Sequence, residues 1–244
     1  MSFPDMSLSG ARTDSTPSYA SDEQESKYLK RSKGLHWLKL GLAVVILGAA
    51  TTVVGCQAHS LHHYKETRSF EKWWLALWPQ EFDLRPTMAF LGAGVAIMVM
   101  TLVYMLVAAF PSPHPRTTLL NSLASGVAVA GLIASIIVVA FSTEISKGPR
   151  IIGGVDSSET IESWSCKWSS ARNMGVLDDS GEPLTAPDGF GRVCTETRAA
   201  FALMNILICL EVLMAGTALC GWWFERTMKK ERNNAVAEMK NGSM

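Results

Sequence analysis

The sequence predicts an all-α integral membrane protein, a four-transmembrane-helix bundle with an extracytoplasmic loop cap. The first observation is the spacing of charge. Leu40 to Tyr64, Pro86 to Pro115 and Thr117 to Thr143 carry no Asp, Glu, Lys or Arg across 25, 30 and 27 residues, and Ala199 to Phe224 carries only Glu211 across 26. A spanning helix needs about 20 mostly apolar residues. The second is composition: with 48% hydrophobic and 18% charged residues in a chain of 244, the rest could not cover four such helices in water. The third is the clustering of cations beside the first and last runs, which biases both termini toward the cytosol. Together these exclude a soluble enzyme. The net charge of zero implies no attraction to nucleic acid.

Residues 1–34 hold ten Ser or Thr and few large apolar side chains, so a disordered cytosolic tail is expected there. Lys27, Lys30, Arg31 and Lys33, with Lys39 close behind, form a basic cluster suited to anionic lipids, and Trp37 is an interface anchor. The membrane domain runs over 35–230. Its first span, about 38–57, is too long and too poorly cleavable for a signal peptide and reads as a retained signal-anchor. Gly41, Gly48 and Gly55 lie on one stripe of it, expected to pack against a neighbouring helix. The second span is about 88–110 and the third about 119–141. The prolines between Pro111 and Pro115 stop one helix and start the next, which makes an antiparallel hairpin. Ser122, Gly126, Ala130 and Ala134 form a small-residue ladder on the third span. Intramolecular packing is its first reading and homodimerisation its sharper one. The fourth span, about 199–224, ends in Trp222 and Trp223 and is followed by basic residues, an interface entering cytosol. Residues 231–244 form a cytosolic C-terminal tail.

Few residues suggest chemistry. Cys166 and Cys194, 28 positions apart in the loop from about 142 to 198, are expected to form a structural disulfide outside the cytosol. A metal site is the rival, but two thiols without a nearby His fall short of four ligands, and neither thiol belongs to a CxxC motif. Cys220, beside Trp222 at the inner interface, suits palmitoylation or a plain buried position. Glu211 is the one carboxylate in a span. It is expected to pair with Ser, Thr or backbone of the first or third span, with an ion or proton path as the alternative. Asn205, six residues earlier, lies about 120° away around the helix and addresses a different partner. His59, His62 and His63 share a helical face, but nothing nearby completes a metal set. Trp73, Trp74 and Trp78 suit a short helix in the outer headgroup plane, or a lid on the bundle. No catalytic residue, metal site or cofactor motif is expected.

Two intracellular ends, a short intracellular hairpin and a longer second outer loop with a cysteine pair resemble the MARVEL-type four-helix membrane proteins. The strings Leu77-Trp-Pro-Gln-Glu-Phe-Asp-Leu-Arg-Pro-Thr87, Ser163-Trp-Ser-Cys-Lys-Trp168 and Cys194-Thr-Glu-Thr-Arg-Ala-Ala-Phe201 look like membrane proteins of filamentous ascomycete fungi. The chain departs from tetraspanins, lacking Cys-Cys-Gly in its large loop, and from claudins, lacking cysteine in the first loop. The resemblance implies membrane organisation or trafficking at a plasma membrane or endomembrane. The expected partners are the bilayer, other membrane proteins and, in the sharper reading, a second copy. The alternative is a small transporter or channel subunit using Glu211.

Overall fold

The structure, a computed structural model, describes residues 19–68, 71–72, 75–76, 78, 82–110, 117–146, 159–169 and 189–242. Four long helices dominate it: α1 (Tyr19–Thr67), α2 (Arg85–Ala109), α3 (Thr117–Ser146) and α5 (Phe190–Gly242). Each contains a segment long and apolar enough to cross a membrane: Lys33–Thr67, Arg85–Ala109, Thr118–Ile145 and Phe190–Lys230. These segments enclose the four predicted spans to within one residue. The chain runs up and down, so α1 packs on α2, α2 on α3, and α3 and α1 both on α5. The resulting square places α2 diagonally across from α5.

Helix α1 begins at Tyr19, inside the segment expected to be a disordered tail. The local pattern accounts for this, since Glu23 precedes Lys27 by four residues and the stretch is rich in Glu, Gln, Lys and Leu, all good helix formers. The side chains of Lys27, Lys30 and Arg31 lie outside the described residues, whereas Lys33 is exposed.

The helices meet along one seam, and its spacing is regular. On α1 the buried positions are Lys39, Ala43, Ile46, Ala50, Val53, Gln57 and Ser60, alternating steps of four and three. Helix α5 repeats the pattern from Val193 through Thr197, Ala200, Met204, Leu207, Glu211, Met214 and Ala218. An average step of 3.5 keeps one face toward its neighbours when helices cross at about 20° with a left-handed supercoil. This seam corrects two expectations. Gly41, Gly48 and Gly55 are exposed with open space around each, because they fall two positions from the nearest seam residues and so point away from the core. Ser122 and Gly126 are likewise exposed and Ala130 and Ala134 only partly covered, the adjacent row Ala124, Ala128, Gly131 and Ser135 carrying the contact.

The α1–α2 and α3–α5 connections lie at the end where α1 finishes and α5 starts, here termed the cap end; the opposite end, where α2 finishes and α3 starts, is the tail end. Strands β1 (Glu71–Lys72) and β2 (Leu75–Ala76) pair antiparallel, Glu71 opposite Ala76. The stretch expected as a headgroup-plane helix is therefore a short hairpin. Trp73 and Trp74 lie outside the described residues. Strand β3 (Phe82–Asp83) pairs in parallel with β4 (Glu159–Thr160), which joins the first loop to the second. Helix α4 (Ile161–Ser169) follows at once. Its start is a reciprocal cap, in which the Thr160 amide donates to Ser163 Oγ at 2.9 Å and the Ser163 amide to Thr160 Oγ1 at 3.2 Å. Cys166 of α4 and Cys194 of α5 form a disulfide, their Cα atoms 4.8 Å apart.

Trp78 pins the first loop to this end. Its ring stacks on Phe190 with centroids 4.9 Å apart, meets Tyr64 edge-on at 5.1 Å, and its Nε1 donates to Thr67 Oγ1 at 3.0 Å. At 5% exposure it is buried on the bundle rather than laid open to lipid. Trp78→Ala is expected to cost about 3 kcal/mol. Limited proteolysis of the first loop checks this, wild-type cutting rates in the variant counting against the contact.

Candidate functional site

Glu211 occupies the middle of the seam. It is fully buried, and neither carboxylate oxygen has a hydrogen-bond partner among the described residues. Space for its head comes from α3, where a Cβ built on Gly131 would fall 2.3 Å from Glu211 Oε1. A larger residue at this position would have to displace the carboxyl head. Depth along the bundle follows from one contact: Phe90 of α2 lies beside Phe201 of α5, ring centroids 6.1 Å apart. Thr101 is eleven residues beyond Phe90 and Glu211 ten beyond Phe201, so at 1.5 Å per residue the two share a layer within about 2 Å. Thr101 is also fully buried and its hydroxyl has no partner. Ser135, one turn beyond Gly131, repeats both properties. The pairing with Ser, Thr or backbone expected for Glu211 is thus not made. The hydroxyls share the core without reaching the carboxylate.

Asn205 lies on another face, exposed, its Nδ2 donating to Phe201 O at 2.9 Å. The separation from Glu211 read from the helical repeat is present in the structure. The three histidines do not converge. His59 Nδ1 meets Glu196 Oε2 at 2.6 Å, His62 pairs with Glu66 at 3.2 Å, and His63 lies against Gly189 and Phe190. Gly189, with φ of +86°, could not be replaced at that contact, because a Cβ there would meet His63 Nε2 at 2.4 Å. Glu196 also accepts from Arg192 Nε at 2.8 Å, so one carboxylate of α5 is shared between His59 of α1 and Arg192 of its own helix near the cap.

A polar groove opens on the cap, lined by Thr160, Glu162, Ser163, Cys166, Lys167 and Arg198. Burial pushes the Glu162 carboxyl above its ordinary value of 4.5, against the opposing pull of Arg198. The folded form therefore holds this proton more tightly than the unfolded chain does. Its contribution to stability is full below the ordinary carboxyl value and declines as pH rises through the raised one. Glu162→Gln is expected to flatten that decline, measured as hydrogen-exchange protection of α4 against pH; an unchanged slope would locate the titration elsewhere.

At the tail end Lys39 leaves the basic cluster to which its sequence position assigns it. It is 5% exposed, and its Nζ donates to Asn121 Oδ1 beside Gly221. Thr118 donates to Glu225 Oε1 at 2.5 Å, and Lys229 lies 3.3 Å from the same oxygen. Trp222 and Trp223 are exposed, and the Arg226 guanidinium stands 3.7 Å from the Trp222 ring centroid. Cys220 is a free, exposed thiol, so the buried alternative for it falls away. Sequence reasoning missed Lys39–Asn121, Thr118–Glu225 and Gly131. A search for small and polar residues at alternating steps of three and four would have found Gly131 and Ser135.

Fold and site together define a class: a four-helix bundle of membrane-crossing length, closed around the buried Glu211 carboxylate and capped by a short helix that a disulfide ties to α5. Among protein-family models, curated proteins and solved structures, none matches the chain.

Proposed function

We propose that this is a non-enzymatic membrane protein, inserted through α1, α2, α3 and α5 with both termini in the cytosol, that organises other components of a plasma membrane or endomembrane. The observation that carries the reading is the cap: two loops joined by β3–β4 pairing, pinned by Trp78 and stapled to α5 by Cys166–Cys194. A cap held in one shape offers a contact surface without ordering cost at each encounter. The outward faces of the helices, with Val44, Val45, Ile133, Ile137, Leu213 and Leu219 exposed, suit lipid. The exposed tail-end residues Lys33, Trp222, Trp223 and Cys220 suit an anionic inner leaflet, with Cys220 available to an acyl chain. The MARVEL-like resemblance points the same way.

The test has two parts. After carbonate washing the protein is expected in the membrane pellet; recovery in the supernatant would end the reading. In photobleaching of the native membrane, the Cys166→Ser/Cys194→Ser variant is expected to diffuse more freely than wild type, and equal mobility would count against the cap as the contact surface. A second reading, a small transporter or channel subunit, is favoured by the partnerless Glu211. Its mark is pH-driven flux in proteoliposomes that Glu211→Gln abolishes.

A further inference from the structure

The cap groove holds charges that its own structure leaves unspent. It encloses about 420 Å³, a size suited to a small ligand, and its walls come from β4, α4 and α5. Most of its polar groups are already committed. Ser163 Oγ donates to Glu159 Oε2 at 2.6 Å, Thr160 and Ser163 cap each other, and Lys167 stands 3.5 Å from Glu159 and 5.6 Å from the Trp164 ring centroid. Two charges remain. Glu162 and Arg198 both line the groove, yet among the described residues they close no ion pair and neither side chain has a hydrogen-bond partner. Each lies four residues from the disulfide, Glu162 before Cys166 and Arg198 after Cys194, so α4 runs antiparallel to α5 here and the pair stands about 6 Å nearer the bundle than the bridge. Depth follows from the contact of Phe90 with Phe201: three residues back along α2 and α5, which both run from cap to tail, Arg198 is level with Thr87. The charge-free runs begin at Pro86 on α2 and Ala199 on α5. Arg198 therefore marks the level where the apolar segments give way to polar ones, which in an inserted bundle is the level of lipid headgroups.

We propose that this groove binds the phosphoethanolamine headgroup of a membrane lipid, its phosphate on Arg198 and its primary ammonium on Glu162. A guanidinium matches two phosphate oxygens with parallel N–H donors. A primary ammonium brings three N–H donors to a carboxylate, whereas a choline nitrogen brings none and a glycerol headgroup carries no cation. Opposite charges held apart fit a zwitterion; a purely anionic headgroup on Arg198 would be repelled by Glu162. Burial of Glu162 prevails over the pull of Arg198, which leaves the carboxylate to be compensated by the ligand. The Cys166–Cys194 bridge holds α4 on α5, so the two groups keep their spacing before a lipid arrives. The site rests on the membrane reading above and gives the cap, there a contact surface, a lipid of stated chemistry as one of its contacts.

Native mass spectrometry of the full chain, released from detergent micelles after titration with dioleoyl phosphatidylethanolamine, phosphatidylcholine or phosphatidylglycerol, tests it. Wild type is expected to retain the ethanolamine lipid several-fold better than the other two. Glu162→Gln should erase its advantage over the choline lipid. Arg198→Gln should lower retention of the ethanolamine and choline lipids several-fold, and Arg198→Lys, which keeps the charge, should recover part of it. A mobility shift on reduction, kept in each variant, verifies that the Cys166–Cys194 bridge still holds the cap. The proposal is overturned by equal retention of the three lipids by wild type, or by an ethanolamine preference that survives both Glu162→Gln and Arg198→Gln. A preference for phosphatidylglycerol lost only in Arg198→Gln would make the groove a plain anion site and overturn it also. Displacement of the lipid by millimolar free phosphoethanolamine would transfer the same chemistry to a soluble ligand and overturn the lipid source. Any of these results beside recovery of the protein in the carbonate-washed pellet would strike the lipid site and leave the membrane reading standing.

Discussion

Gly131→Val is expected to destabilise the bundle by about 1 to 3 kcal/mol, the usual range for forcing extra atoms into a packed core. A Cβ at this position would lie 2.3 Å from Glu211 Oε1, and the carboxyl it pushes aside is fully enclosed, so the strain has no exit to solvent. Glu211→Ala alone has opposing effects. It removes a buried polar group without a partner, a gain of about 1 to 3 kcal/mol, and it leaves a void of similar cost. The double variant is the informative one, because the valine methyls enter the space the carboxylate vacates. Its stability is expected to return toward that of Glu211→Ala, with a coupling energy of at least about 1 kcal/mol. Denaturant unfolding in lipid bicelles gives the cycle; strictly additive effects would place the two side chains apart.

The second large effect belongs to the cap. Removing the Cys166–Cys194 bridge with Cys166→Ser/Cys194→Ser is expected to cost roughly 3 to 4 kcal/mol, the chain-entropy value for a loop closed over a separation of 28. The loss should be local. Helix α4 is held by the bridge, by its packing on α5 and by the β3–β4 pair, so its amides should lose protection while those of α1 to α3 keep theirs. Reduction should shift the electrophoretic mobility of wild type and leave Cys166→Ser unchanged. Alkylation of both thiols in intact, unreduced cells would refute the bridge.

How much of this was legible beforehand depends on the range of the physics involved. Hydrocarbon-length apolar runs are a local property, so the four helices could be read from charge spacing alone, as could the helix breaks at the prolines. The cysteine pair was legible because few thiols exist and only two fall in the loop. Asn205 and Glu211 were separable by the helical repeat. The glycine stripe misled, since small residues occur on outward faces as well as inward ones, and Gly48 looks the same in sequence whichever way it points. Trp78 illustrates a different limit: an indole near a span end suits lipid or a lid equally, and only Tyr64, Thr67 and Phe190 converging on it decide between them.

By itself, then, the sequence determined how many helices of membrane-crossing length there are, about where their apolar segments run, and that one carboxylate stands among them, whereas the short helix α4 went unread. Which face of each helix turns inward was left to the tertiary structure. In a water-soluble bundle the apolar stripe would have announced that face. Here the four membrane-length segments are apolar on outward and inward faces alike, Val44, Ile133 and Leu213 being exposed beside a buried seam. The inward side is set by the fit of small against large residues across helices, Gly131 under Glu211 being the clearest case. Complementarity of that kind belongs to a pair of surfaces and exists only once the two have met.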